Sequence, residues 1–224
     1  MKIHFVTEGS IDAYWGGGKK AACDLLLFGF EGLGEVDYRR ELAGESEKLA
    51  DMAILSREAG CTVVAGGVTL SCGARYKSAA VAEKGRILGV ADMLYVEEGQ
   101  PYRGGAHLKV FDTAAGKIGV CVGEDLFYPS LAEAFSLCDA DLIVSIFGGA
   151  EDFAPQLMLR ACAFTAGVPA CMCAAGIAQA AEPSGDIALR AARRECSYSL
   201  EYAREYSLVT LRARGRHRKQ RGDY

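Results

Sequence analysis

The chain reads as an α/β protein, with layers of sheet covered by helices, and three observations lead there. Strand and helix patterns follow the order β-α-β-α-β, then hairpins, then β-α-β-α-β again. Residues 24–30 and 141–147 form short, nearly continuous apolar runs, the signature of strands covered on both faces rather than on one. With 224 residues, half of them hydrophobic, the chain fills one sizeable core. A single domain over residues 1–211 and a basic tail over 212–224 follow.

Met1 to Val6 reads as a first strand, too short and too quickly polar for a secretory signal. The stretch after Val6 contains Gly16-Gly17-Gly18 and reads as a loop, because glycine is poor inside a helix. It lacks the G-x-x-x-x-G-K-S/T pattern of a phosphate-gripping loop. After the strand at 24–30, Leu42 to Gly60 reads as one helix with Leu49, Met52, Ala53 and Ala59 on a shared face. Thr62 to Ala65 is the next strand, closed by Gly66-Gly67. Two strands, Ser78–Val81 and Ile87–Val90, flank the tight-turn signal Glu83-Lys84-Gly85.

Leu108–Phe111 and Ile118–Val122 pair through Gly116. Pro129 starts a helix whose apolar face is Leu131, Ala134, Phe135 and Cys138. The strand at 141–147, a helix from Pro155 to Ala166 and a strand from Val168 to Ala174 complete the second set. Beyond Gly176 the pattern weakens, and only Tyr206–Leu211 reads as a strand. No repeat of fixed period is visible. Pattern alone leaves a doubly wound sheet and a four-layer sandwich both open.

Composition narrows the function classes. The nine cysteines are odd in number, lie mostly in apolar segments and include no C-x-x-C pair, so they read as reduced core thiols. No zinc site and no other metal or cofactor is implied. No apolar run reaches membrane-spanning length, so no membrane partner is expected and a cytoplasmic location follows. Six Lys/Arg against one Asp make the tail from Arg212 basic within a chain of net charge -4. No aromatic residues interleave those arginines, which favours a solvated or docked tail over nucleic-acid binding. His4, His107 and His217 stand at no recognisable spacing from a serine or cysteine nucleophile.

Five segments in order carry a family resemblance. They are Ala22 to Glu31; the helix followed by Val63-Val64-Ala65-Gly66-Gly67; Tyr76 to Gly89; Gly116 to Pro129 with its successor Asp139 to Val144; and Arg160 to Phe164. Together they resemble the nitrilase, or carbon–nitrogen hydrolase, superfamily. The resemblance implies the α-β-β-α four-layer sandwich and a homodimer, with the helices containing Leu131 and Leu157 as the place to look for its interface. It also implies chemistry by three groups: a thiolate that attacks the amide or nitrile carbon, a carboxylate acting as general base and acid, and an ammonium that stabilises the oxyanion.

Carried over residue by residue, the carboxylate is Glu31, the lysine position is Met93 and the thiol position is Gly123. Two of the three groups are therefore replaced by residues that cannot perform the step. Cys121 lies two residues before Gly123, roughly 6–7 Å back along a strand, and reads as a core residue. Glu124 and Asp125 are the candidate binding residues, although Asp125 at a helix start is also suited to accepting backbone N–H groups. Two functions follow. One is a protein without thioester chemistry that keeps a small-molecule pocket as a binding, regulatory or scaffold protein. The other is an amidohydrolase acting on small C–N substrates with altered catalytic residues, Glu31 and Glu124 working with water.

Overall fold

The computed structural model describes residues 1–18, 21–149 and 153–201. Tyr206–Leu211 and the basic tail lie outside the described residues. Two sheets stack face to face. The first contains β1 (Lys2–Val6), β2 (Leu25–Phe28), β3 (Gly34–Asp37), β4 (Thr62–Ser71), β5 (Ala74–Glu83), β6 (Arg86–Asp92) and β13 (Glu195–Ser199), in the order β13-β1-β2-β4-β5-β6 with β3 also paired to β4. The second contains β7 (Val110–Thr113), β8 (Gly116–Val122), β9 (Leu142–Gly149), β10 (Ala170–Ala175), β11 (Ile177–Ala181) and β12 (Ile187–Ala191), in the order β12-β11-β10-β9-β8-β7.

The inner faces of both sheets share one apolar layer, in which Phe5, Leu27 and Val81 of the first sheet meet Ile118, Val144 and Cys171 of the second. The outer face of the first sheet is covered by α1 (Ile11–Gly16), α2 (Tyr38–Leu42) and α3 (Lys48–Ala59), with Met52 and Leu55 against Leu26 and Val63. The outer face of the second is covered by α4 (Pro129–Leu137) and α5 (Phe153–Ala166), with Phe135 and Leu159 against Ile143 and Met172. The α-β-β-α sandwich is thus present, and strands buried on both faces explain the continuous apolar runs.

The two sheets repeat one plan. Parallel strands β1, β2 and β4 are flanked by antiparallel β13 on one side and β5 and β6 on the other. Parallel β8, β9 and β10 are flanked by β7 and by β11 and β12 in the same way. This topological repeat leaves no fixed period in the sequence.

Several sequence expectations are corrected. The segment after Val6 holds a short helix, α1, because the Ser10 side chain accepts the Ala13 N–H while Ile11 and Tyr14 are buried. The helix expected over 42–60 starts later, at Lys48, because Leu42 is the last residue of a separate helix, α2. Gly44 turns left-handed, and the Glu41 carboxylate accepts the N–H groups of Lys48 and Leu49 to start α3. Strand β4 continues through Gly66-Gly67 to Ser71, paired on one side to β5 and on the other to β2 and then β3. Three strands follow Gly176, and β13 returns to pair with β1. No helix among the described residues is long and apolar enough to cross a membrane.

Candidate functional site

The parallel strands of both sheets deliver their carboxyl ends to one end of the sandwich, where α/β proteins commonly build sites. Glu31 lies in the turn between β2 and β3, and Gly123 directly follows β8. Met93 follows β6, the strand antiparallel to β5.

Gly123 opens a 3₁₀ turn, Gly123–Phe127, with φ at +57°. A Cβ there would stand 2.8 Å from the Met93 sulfur and 3.6 Å from Lys77 Cδ. Met93 is 2% exposed, so its thioether is a fixed part of the core. The structure therefore brings Met93 and Gly123 into contact.

Lys77, on β5, is the residue that sequence reasoning missed. Its Nζ donates to both carboxylate oxygens of Glu124, at 2.8 and 2.9 Å. The same ammonium lies 5.4 Å from the centre of the Tyr102 ring, a cation–π distance. The register that sets Ser78 opposite Asp92 makes residues 77 and 93 cross-strand neighbours. That pairing was the signal that could have exposed Lys77. The site thus holds a cation beside Gly123, engaged by the adjoining carboxylate.

Glu124 and Asp125 diverge. Asp125 is 3% exposed and accepts the Leu94 N–H with both oxygens, at 3.0 and 2.8 Å, and the Tyr95 N–H at 2.8 Å. It accepts backbone N–H groups, as its type suggests, but from the segment after β6 rather than from its own helix. Burial pushes its carboxyl up to about 6, against the pull of those backbone donors and with a further push from Glu124. Asp125 therefore fixes the position of Met93 through the two residues that follow it.

Glu31 is exposed, and its carboxylate accepts the Gly9 N–H at 3.2 Å. The turn that carries it is seated by Gly66, whose absent side chain leaves room for Phe30 and Gly29. Cys121 points away from the layer between the sheets, into the core under α4 and α5, where burial raises its thiol far above the usual range. A buried, protonated thiol does not replace a nucleophile at position 123. Tyr95 and Tyr128 stack at 4.0 Å over the segment that Asp125 ties down. Among the described residues, no group of three or more His, Cys, Asp and Glu side chains is arranged to hold a metal ion.

Comparison with solved structures finds this architecture repeatedly. A variant of the amidase of Nesterenkonia AN1 from the nitrilase superfamily superposes with a TM-score of 0.71 at 17% identity, covering 88% of each chain. Nit3 of Saccharomyces cerevisiae, a member of the nitrilase superfamily, gives 0.73 at 16% identity, again over 88% of each chain. A carbon-nitrogen hydrolase from Helicobacter pylori G27 gives 0.70 at 17% identity, over 85% of this chain and 84% of that one. A search of curated protein sequences found no match. At these low identities, the superpositions establish a shared fold. The carbon-nitrogen hydrolase family model matches residues 24–195, most of the chain, and on that match the protein belongs to the carbon-nitrogen hydrolase family.

Proposed function

We propose that this family member does not perform thioester chemistry and uses its site as a binding, regulatory or scaffold surface in the cytoplasm. One observation carries the reading: the Met93 sulfur lies 2.8 Å from where the first side-chain atom of residue 123 would stand. A variant of the amidase from Nesterenkonia sp. AN1 shows the result of Michael addition of acrylamide at its active-site cysteine. At Gly123 there is no sulfur, and the space for one is filled by a buried thioether. Loss of a nucleophile alone removes several orders of magnitude in rate. The test is ammonia release from a panel of small amides and nitriles by the full chain. The expected result is no turnover above a Glu31→Ala control; hydrolysis that depends on Glu31 overturns the reading.

A second reading keeps hydrolysis of small C–N substrates with altered residues. It is favoured by Lys77, which supplies a positive charge within reach of position 123. In that reading Glu31 and Glu124 activate water, and Lys77→Met abolishes whatever turnover the panel detects.

We also propose a homodimer through α5. Phe153, Leu157 and Phe164 are exposed on that helix at spacings of four and seven residues, which places them on one face. Leu131 of α4 is buried in the core, while Leu137 of the same helix is exposed and can extend that surface. A two-fold interface would bring the stripe against itself. Sedimentation should give a dimer for the full chain and a monomer for Leu157→Glu, and a monomeric parent chain rules the interface out.

A further inference from the structure

The end of the sandwich opposite Gly123 holds a cavity of about 230 Å³, under the entrances of β2 and β4. Pockets for drug-sized ligands span roughly 300–1,000 Å³, so this one suits a smaller metabolite. Glu83, which lines it, lies beyond Lys77 on the same strand, β5, about 20 Å further along. The cavity is therefore separate from the site around Gly123.

Asp24 and Glu83 line it with negative charge, and Arg57 and Lys84 with positive. Glu83 bridges the two sheets: its Oε1 accepts the Thr62 hydroxyl of β4 and the Ala114 N–H of the β7–β8 turn, both at 2.7 Å. Its side chain is only 9% exposed. Against the opposing effect of burial, those two donors and Lys84 hold its carboxyl below the usual range, so it is ionised. Among the described residues, Oε2 has only the Lys84 ammonium, at 3.6 Å and on a side chain that is 74% exposed. A buried carboxylate oxygen so lightly engaged retains capacity for a closer donor. The cations are set by the backbone of the hairpin. Lys84 takes a left-handed φ of +51° in the turn, and Arg57 Cδ and Cβ lie 3.4 and 3.5 Å from where a Gly85 Cβ would stand. Among the described residues, the Arg57 guanidinium has no hydrogen bond or ion pair.

We infer that this cavity binds a small zwitterionic α-amino acid, with its ammonium on Glu83 Oε2 and its carboxylate on Arg57 and Lys84. A ligand of one sign would meet two like charges here, whereas a molecule carrying both signs finds a partner for each. The ammonium takes over Oε2 from Lys84, and the charge so released joins Arg57 on the carboxylate. Helix α3 ends against the cavity at Gly60, and the carboxyl end of a helix adds partial negative charge that favours an ammonium. Cys61, Ala114 and Ala115 complete the wall without charge, which calls for a short, apolar side chain on the ligand. The inference does not depend on whether the Gly123 end performs chemistry.

The experiment titrates the isotope-labelled full chain with L-alanine and with L-valine and follows backbone amide shifts by NMR. Ethylamine and propionate serve as comparators, being L-alanine without its carboxylate and without its ammonium. The expected result is a saturable shift of the Gly60, Gly85 and Ala114 amides with an amino acid, and binding at least tenfold weaker for both comparators. Glu83→Gln keeps an acceptor for Thr62 and Ala114 but removes the charge, and should abolish the shifts. Arg57→Gln, at an exposed position, should weaken amino-acid binding at least tenfold, and it decides the matter if the Glu83 variant fails to fold. No saturable shift with either amino acid at about 10 mM, tenfold above the usual ceiling for metabolite sites, overturns the inference. So does a comparator that binds within tenfold of L-alanine, a set of shifts confined to the Gly123 end, or unchanged affinity in Arg57→Gln.

Discussion

Lys77 and Met93 are joined across the β5–β6 pairing: the Met93 N–H donates to the Lys77 carbonyl at 2.8 Å, and both side chains reach the space beside Gly123. At the position the family resemblance assigns to a lysine, an apolar thioether closes the core. The positive charge stands one strand away, bound to Glu124. A charge so held is available to a ligand only if the ligand displaces Glu124 or shares its ammonium.

The ion pair should contribute little to stability. Its side chains are 22% and 38% exposed for Lys77 and Glu124, and exposed pairs in double-mutant cycles give about 1 kcal/mol or less. A cycle of Lys77→Met and Glu124→Gln, measured by urea unfolding, should return a coupling of that size that shrinks in high salt. A coupling above about 2 kcal/mol, insensitive to salt, would mean that the pair is desolvated.

Gly123→Ala should lower stability by roughly 1–2 kcal/mol, because a left-handed backbone disfavours any Cβ by about that much. The added carbon also meets the Met93 sulfur at 2.8 Å. Combining it with Met93→Ala should therefore cost less than the sum of the two single changes, since removing the thioether removes the collision. Strict additivity in urea unfolding would disprove the contact.

Asp125 sets a pH dependence of definite sign. Its carboxyl titrates at about 6 in the folded chain against 3.8 for the free group, so the folded state holds the proton more tightly. Its contribution is most favourable below pH 4 and is lost as pH rises through 6, on the order of 2–3 kcal/mol in all. Asp125→Asn lacks this titration. The stability of the parent chain relative to the variant should fall between pH 4 and pH 7, whatever constant offset the amide introduces. A relative stability that rises over that window would reverse the assignment.

Local signals made part of the fold readable from sequence. Pro129 at the start of α4, the turn at Lys84-Gly85 and the apolar run of β9 each declare themselves within a few residues. The features that escaped depend on distant partners. Strand β13 exists because Cys196 and Tyr198 alternate against a strand nearly two hundred residues earlier, and its own short alternation is too weak to announce it. Helix α1 was hidden by Gly16-Gly17-Gly18, although Ser10, Ile11 and Tyr14 supply a cap and a buried face. At the site, Glu31, Met93 and Gly123 were reachable by resemblance, whereas Lys77 required knowledge of which residue stands across from Met93. In the sequence Gly66-Gly67 reads as a strand end, since glycine weakens a strand. The pair instead marks a close approach within one.

That approach gives a sharp test of how the Glu31 turn is held. A Cβ on Gly66 would stand 2.5 Å from Ile146 Cγ2 of the opposite sheet, 3.0 Å from Phe30 Cα and 3.1 Å from the Gly29 carbonyl oxygen. The isoleucine methyl can rotate away, but the other two atoms belong to backbone that must move as a unit. Gly66→Ala should therefore destabilise the chain by roughly 1–3 kcal/mol, the usual range for overpacking a dense core. It should also displace the 29–33 turn, visible as faster amide hydrogen exchange at Gly32 and Leu33, whose N–H groups now donate to the Gly29 and Gly66 carbonyls. Gly73→Ala is the matched control: its left-handed backbone disfavours a Cβ, but nothing stands within 4 Å of the added atom. That variant should lose stability without disturbing exchange at the Glu31 turn. Equal exchange in the two variants would show that the turn is held by something other than its fit over Gly66.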